Sequence, residues 1–471
     1  MKAFNIQIWD VSTDPFCRID VDNKAFFIEN DFSKYDTLSR YITFIETGKP
    51  ITKEDYSTVE NENIHLVVRN ICDGELILDD PIYISDEKAN ALTLYRINKD
   101  DIILAISSNC GACFLYNETL NYNITLSHYL CRFQVDQNAL VPQFLVYYLN
   151  SAMMKEYFKS TETGKTQKNL SKKYIDRIPI YQLSISVQTI AIEKARIVEK
   201  QINSKKVLVK TPQEIIDKVF SAAFNIDRNA LFEVAAEKAV SSKSSDLVFN
   251  NSNIRFSFRW DKAVAIQEKL IEMCDECKRL DRYIFSTKNG WSPECSEAAT
   301  SYRVLGIDAI QKSAILSLEN VKFTDQTDKS VELNTVKNGD FFVSRGNTTD
   351  LVALASVADI PEEDDEPIIF PDLMIRVKFN SQVNKLYMAY AFNSFIGRLY
   401  FKYASKGKNQ TMVKISQKEL KDFYVPIPAL DEQQRIVEEI QAEVDKQSSV
   451  KTEIAKLRSK IDAIIEEAIR G

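Results

Sequence analysis

Apolar residues near the C-terminal end of the chain recur every three and four positions: Ile454, Leu457, Ile461, Ile464 and Ala468. That spacing makes a heptad seam along one helix face, and Ile436, Ile440 and Val444 continue it N-terminally. The surrounding positions are Glu, Lys, Gln and Arg, as expected for a face in water. A looser stripe formed by Ile192, Ala195, Val198, Ile202, Ile215, Val219 and Phe220 marks a second helical segment over 188–224. Within it, Thr211-Pro212-Gln213-Glu214 has the pattern of a helix start, with Thr as cap, Pro in the first turn and Glu closing a capping box. The central segment is therefore expected to kink or restart near 211. At about 1.5 Å per residue, each segment would span roughly 55–60 Å. Neither stripe can be left in water. Packing the two helices on each other is the economical solution, and packing each on its own module is the alternative.

Elsewhere the period changes. Short β-rich runs (IHLVV, ELIL, DIILAI, RVLGI, DFFVSR) alternate with turn signals, and one helix is expected around 142–159 and another around 384–402. These two regions are the same segment written twice. Between 147–167 and 390–410, at a fixed offset of 243, nine positions are identical: Tyr147/Tyr390, Asn150/Asn393, Ser151/Ser394, Tyr157/Tyr400, Phe158/Phe401, Lys159/Lys402, Gly164/Gly407, Lys165/Lys408 and Gln167/Gln410. Chance would leave about one or two. Weaker matches keep the same order: Arg18/Arg259, Gly48/Gly290, Asp101/Asp340, Arg132/Arg376, and Ile216-Asp217 with Ile461-Asp462. A single long-period repeat means two copies of one domain. The unit is a module of about 170 residues followed by a helical segment of about 40. The Ser-, Asn- and Asp-rich stretch from 226 to 256 reads as a connector into the second module.

Composition narrows the class only moderately. The 471 residues have room for about three domains, and 45% apolar residues is enough for real cores. The net charge of −7 neither advertises nor excludes nucleic-acid binding, because a local basic face matters more than the total. The N-terminus lacks the apolar core of a signal peptide and no apolar run is long enough to cross a bilayer, so a cytoplasmic protein away from membranes is expected. Eight dispersed cysteines suit a reducing compartment. Two C-x-x-C pairs, Cys110–Cys113 and Cys274–Cys277, together supply four thiols, but they fall at non-equivalent places in the repeats, and the second lies in a charged helical stretch. Buried or incidental thiols are the favoured reading over zinc.

Catalytic constellations are missing. There is no Gly-rich phosphate loop, and the only histidines, His65 and His128, are far apart. The acidic run Glu362–Glu366 between two prolines reads as a solvated loop. What occurs twice is a Gly/Lys/Gln/Asn loop after a helix, 164–173 and 407–416. Lys165, Lys168 and Lys172 can neutralise phosphates, and Gln167 and Asn169 can bond base edges. The second copy offers Lys406, Lys408, Asn409, Gln410 and Lys414. Asn109, in the first module, and Arg345 with Asn347, in the second, follow the Asp-led strands at equivalent places. Lys49, Arg69 and Asn70, with Lys288 and Arg303, complete the set of candidate DNA-binding residues. A solvated turn with structural Gly and Asn is the plainer alternative for each loop.

The strings GKTQKNLSKKYIDRIPI and KNQTMVKISQKELKDFYVPIPALDEQQRIVEEI resemble the ends of target-recognition domains in specificity subunits of Type I restriction–modification enzymes. In that family a Gly-x-Thr-Gln-like loop precedes an Ile/Leu-Ser turn, an Ile-Pro-Ile-Pro strand and Leu-x-x-Gln opening a long helix. The C-terminal copy matches through Val425-Pro-Ile-Pro428, Leu430 and Gln433, and the N-terminal copy through Ile178-Pro-Ile180. After that, YQLSISVQTIA has two extra residues and lacks the acidic pair before Gln188.

The resemblance implies an α+β fold: two repeated mixed α/β target-recognition domains joined and spaced by two long antiparallel coiled-coil-like helices. The expected division is 1–183 for the first recognition domain, 184–256 for the central helical spacer and connector, 257–428 for the second domain and 429–471 for the distal helix. Ile192, Val198 and Ile202 are expected to pair with Ile440, Ile454, Leu457, Ile461 and Ile464. It also implies a non-catalytic chain with no cofactor or metal of its own, reading one half-site of double-stranded DNA per domain. Two modules on a helical spacer would address sites about one turn apart, roughly 34 Å. The implied partners are two modification subunits, which carry S-adenosylmethionine and methylate adenine, and ATP-dependent restriction subunits. The competing readings are a duplicated coiled-coil scaffold that binds only protein, and the reader of a related system in which methylation and cleavage are fused.

Overall fold

The computed structural model describes residues 35–117, 120–163, 168–237, 257–326, 329–361, 366–407 and 412–470. The described chain divides into two compact units, one running to Leu208 and including Lys451 onward, the other comprising 209–450.

In the first unit, four antiparallel strands lie in the order Ile42–Thr47, Leu130–Val135, Ile102–Ala105, Cys113–Leu115. A second sheet has the order Ile82–Tyr83, Asn63–Leu66, Asn123–Leu126, with the last two parallel. The DIILAI run is buried from Asp101 to Ala105 because successive side chains enter different cores. Ile102 and Leu104 face helices, whereas Ile103 and Ala105 face Ile64, Leu66 and Leu126 of the second sheet.

The second unit repeats this topology strand for strand. Its four-stranded sheet runs Ile284–Asn289, Met374–Phe379, Phe341–Ser344, Ala355–Val357, and its three-stranded sheet runs Val321–Thr324, Tyr302–Leu305, Ile368–Ile369. Again one pair is parallel. Phe341 and Val343 enter the helix-lined core, while Phe342 enters a core with Leu305 and Phe370. A two-stranded ladder closes each module, Asp36–Thr37 on Pro179–Ile180 and Cys277–Arg279 on Tyr424–Pro426.

The single helix expected in each module is two. Pro142–Leu149 is followed by Ala152–Thr161, and Lys385–Asn393 by Phe395–Ala404. The break falls on the repeated Asn-Ser pair for a non-local reason. The Asn150 amide donates to the carbonyl of Cys113 (2.9 Å) and accepts its N–H (3.4 Å). Asn393 does both to Ala355, at 2.9 Å each way. Each asparagine thus acts as one more backbone group along an edge strand. Tyr157 and Tyr400 likewise donate to the carbonyls of Tyr174 and Glu419. Much of the duplicated segment is therefore maintained by the fold.

The helical segments differ from the expected division in one respect. Residues 184–256 do not stand apart. The helix Ile185–Lys206 belongs to the first unit, and the helix Pro212–Phe224 to the second. The restart is as the sequence signals: the Thr211 hydroxyl accepts from the Glu214 N–H, and the Glu214 carboxylate accepts from the Thr211 N–H at 2.7 Å. The stretch read as a connector from 226 begins with another helix, Arg228–Ala236, which buries Leu231 and Ala235. Residues 238–256 lie outside the described residues.

The terminal helix spans Leu430–Arg470. Its second half runs antiparallel to Ile185–Lys206, with ion pairs Lys194–Glu467 (3.6 Å) and Lys205–Glu453. Its first half, in the other unit, runs antiparallel to Pro212–Phe224: the Lys210 N–H donates to Gln447 at 2.9 Å, and Lys218 faces Glu443. The helices also enter the module cores, so both ways of covering the stripes are used. Ile440 shares a core with Ile215, Val219 and Phe220, and Ile192 shares one with Ile465 and Ile469. The seam position is a correction. Ile465 and Ile469 are fully or nearly buried, Ile461 and Ile464 flank them, and Leu457 is only half-buried. A third layer beneath the helix pair widens the apolar face beyond a two-helix seam. Val198, Ile202 and Ile454 are buried.

Candidate nucleic-acid interface

Each module is held by a matching set of polar side chains, buried at Asp101 and Arg132 in the first and half-buried at Asp340 and Arg376 in the second. Arg132 on a central strand donates to Asp101 (3.2 Å), to Glu46 (2.9 Å) and to the carbonyls of Leu94 and Arg96. Arg376 donates to Asp340 (3.0 Å) and to the carbonyls of Leu333 and Thr335. The Asp carboxylates also accept the N–H groups of Asn98 and Lys337, which closes the turn before each Asp-led strand. Gly48 and Gly290 are matched by close approach, since a Cβ at either would sit 2.2 Å from a carbonyl oxygen, of Leu126 or of Phe370.

Two glutamines tie helix starts to these modules. Gln433 accepts the Asn384 N–H (2.8 Å) and donates to the carbonyls of Gln382 (3.0 Å) and Pro428 (2.8 Å). Gln188 accepts the Val141 N–H (2.8 Å) and donates to Ala139 and Leu183, both at 3.0 Å. The first helix therefore begins in the same way despite its different preceding sequence. Asp217 accepts from the N–H of Phe395 at 2.7 Å and from Arg228 at 3.0 Å, capping a module helix from outside. In the first unit, Asp462 faces the N–H of Ala152. Burial pushes both carboxyls up. The matched Ile-Asp pairs were the sequence signal, but their role was not legible there.

On this frame the described residues that flank each Gly/Lys/Gln stretch pair with each other. Thr163 and Asn169 exchange backbone bonds of 2.8 and 2.9 Å, and Lys406 and Lys414 exchange bonds of 2.7 and 2.8 Å. The returning arm is tied to the loop after the Asp-led strand. In the first unit Ser108 N–H donates to the Lys168 carbonyl and Leu170 N–H to Ile106. In the second, Ile415 N–H donates to Arg345, and Gly346–Asn347 pairs with Val413–Lys414. The fold thereby brings Asn109, Lys168 and Asn169 into one loop cluster, and Arg345, Asn347, Lys406 and Lys414 into the corresponding one. Lys165, Gln167, Lys408, Asn409 and Gln410 lie outside the described residues.

Several candidates have other engagements. Asn70 is buried, accepting from Val67 N–H and donating to Ile77, so its amide serves the turn; it is corrected to a structural residue. Lys406 pairs at 2.6 Å with the buried Glu419 carboxylate. Burial pushes that carboxyl up, but the bonds from Lys406 and Ser416 outweigh it and hold it below its usual range. Lys168 pairs with Glu162, Arg69 with Asp80, Arg303 with Glu366 and Arg345 with Asp372. Lys288 donates to the Leu333 carbonyl and Lys49 lies over the Tyr95 ring. Asn109, Lys172 and Lys414 are exposed. Charge counted along the chain thus overstates what is uncompensated once it folds. Cys277 opens a strand rather than lying in a helix, because the helix Phe258–Met273 ends before Cys274. Among the described residues, no group of three or more His, Cys, Asp and Glu is placed to hold a metal ion, and no helix is long and apolar enough to cross a membrane.

Two modules of one mixed α/β topology, each followed by helical segments that pair antiparallel, define a duplicated recognition-domain architecture. The chain belongs to the family described as the Type I restriction modification DNA specificity domain, which matches residues 2–205 and 287–458. It is 26% identical over 217 residues to the Type I restriction enzyme EcoBI specificity subunit of Escherichia coli, a match covering 43% of this chain and 44% of that subunit, so the aligned part spans less than half of that relative. Among solved structures it is similar to a Type I restriction–modification S subunit from M. genitalium, with 13% identity, a TM-score of 0.38 and coverage of 92% of this chain and 95% of that one. It is also similar to the HsdS subunit of Thermoanaerobacter tengcongensis, with 14% identity, a TM-score of 0.31 and coverage of 93% and 97%.

Proposed function

We propose that this chain is the DNA-recognition subunit of a Type I restriction–modification complex and reads a bipartite target, one half-site per module. The observation that carries this reading is the duplicated pairing of the residues that flank each Gly/Lys/Gln stretch, anchored in both units to the loop after the Asp-led strand, in a chain of the specificity-domain family. Backbone-anchored loops rich in Lys, Gln and Asn suit a role in which phosphate contacts position the protein and base contacts specify. On this reading Lys165 and Gln167 serve one half-site and Lys408 and Gln410 the other, with the exposed Lys172 and Lys414 contributing phosphate contacts. The chain carries no catalytic group of its own. It docks two modification subunits, which bind S-adenosylmethionine and methylate adenine, and through them the restriction subunits, in the cytoplasm.

The test is adenine-methylation mapping of the host genome with and without this chain, in the presence of an active methyltransferase partner. Loss of one split motif, two short blocks around a fixed gap, is the expected result. An unchanged methylome would move the assignment to a protein-only scaffold. Lys165→Ala with Gln167→Ala should relax one block of the motif, and Lys408→Ala with Gln410→Ala the other. If either pair abolished both blocks equally, the two-reader arrangement would be wrong.

A further inference from the structure

The recognition reading leaves the two C-x-x-C pairs unused, and the structure separates them. Cys113 is fully buried in a strand, and Cys110 is half-buried beside Glu162. Burial, with the nearby Glu162 charge, pushes the Cys110 thiol up to about 11, and burial pushes Cys113 higher still. That pair is held as two inert thiols.

Cys274 and Cys277 are placed differently. Cys274 follows the last turn of the helix Phe258–Met273, and Cys277 opens the strand that pairs with Tyr424–Pro426. The turn between them is closed by the Cys277 N–H donating to the Cys274 carbonyl at 3.1 Å. A four-residue turn of this kind brings its first and last Cα atoms within about 7 Å, the separation a disulfide spans. The two side chains are in hydrogen-bonding contact, and the N–H groups of Glu276 and Cys277 also point at the Cys274 sulfur. The bond from the Cys277 thiol, with those N–H groups, brings the Cys274 thiol down to about 7 against the effect of burial. Cys277 is the more exposed of the two.

We infer that Cys274 and Cys277 form a reversible dithiol–disulfide site that exchanges with small-molecule disulfides of the glutathione type. The pair holds one proton between two sulfurs. The thiolate rests on Cys274, so as the more exposed Cys277 sulfur attacks the external disulfide its proton passes to Cys274; a mixed disulfide forms and one thiolate leaves, which then takes that proton from Cys274. The Cys274 thiolate then attacks Cys277 and releases the second thiolate. The external disulfide gains two electrons and becomes one thiol and one thiolate, and the protein pair loses two and becomes the disulfide. The site lies at the base of the second module, where the two-stranded ladder leads into the terminal helix, so its oxidation would be felt beside Tyr387 and Pro426.

The full chain would be equilibrated in buffers of reduced and oxidised glutathione, then trapped with an alkylating agent in denaturant and digested for mass mapping. The expected result is an intramolecular disulfide in the peptide holding Cys274 and Cys277, reversed by reduced glutathione, with Cys110 and Cys113 alkylated as free thiols throughout. Separately, the alkylation rate of Cys274 would be followed from about pH 6 to about pH 9. It should reach half its maximum near neutrality, and Cys277→Ala should move that midpoint up by at least about one unit by removing the thiol donor. The proposal is overturned if the unmodified chain forms no such disulfide in excess oxidised glutathione, or if Cys274 reacts with the pH dependence of the exposed Cys295. Neither readout depends on DNA recognition, so failure here leaves the recognition reading intact.

Discussion

Replacing Gln433 with Ala tests whether one buried amide fixes the start of the terminal helix. Gln433 is completely buried and makes three hydrogen bonds, all to backbone groups: the Asn384 N–H and the carbonyls of Gln382 and Pro428. Each bond contributes about 1 kcal/mol net, and truncation also leaves buried backbone groups without partners, so the expected loss is about 3–4 kcal/mol. Gln188→Ala should lose as much in the first unit, because its three bonds have the same pattern and lengths of 2.8, 3.0 and 3.0 Å. Hydrogen exchange followed by peptide mass is the suitable assay, since it reports each unit separately. A loss of that size corresponds to a fall in protection of about 10²–10³-fold. In Gln433→Ala it should be confined to peptides around Gln382–Tyr387 and Pro428–Val437, and in Gln188→Ala to those around Ala139–Leu145 and Leu183–Ile192. Gln441→Ala, on the exposed face of the same terminal helix, should stay within about 0.5 kcal/mol of the parent. A loss below about 1 kcal/mol in either glutamine variant, or equal losses in both units, would refute the reasoning.

Three further outcomes follow from the same geometry. Arg132→Met leaves the fully buried Asp101 carboxylate without its ion partner and should destabilise the first unit by about 3–5 kcal/mol in urea unfolding, with Asp101→Asn in the same chain restoring part of the loss. His65, buried on a strand against Thr125 at 3.0 Å, has its pKa lowered by burial from 6.5 to about 4. Below about pH 6.5 the unfolded chain takes up a proton that the folded chain refuses, so stability is complete above that pH and should fall by about 3 kcal/mol as pH drops towards about 4; His65→Asn should flatten that slope in urea melts at stepped pH. Ile465→Ala should cost about 2–5 kcal/mol in the first unit and Leu457→Ala less than half as much, measured by thermal unfolding; the reverse order would return the seam to the heptad register.

The order of the duplication, the strand-forming runs and the helix restart at Thr211 were all legible along the chain. These features rest on contacts within a few residues: a hydroxyl reaching an N–H three positions on, an apolar run bounded by turns, a stripe repeating each turn. The tertiary structure decided the rest. Asn150 and Asn393 read as positions inside one expected helix until edge strands 37 and 38 residues away receive their amides. Lys406 and Asn70 both read as candidate DNA ligands until the fold places Glu419 beside the one and closes its own turn around the other. The heptad seam located the buried face of the terminal helix to within one position. Which side of that face lies deepest depended on the module core beneath it, and burial is a property of what packs against a residue, which the spacing of apolar positions in one helix does not contain.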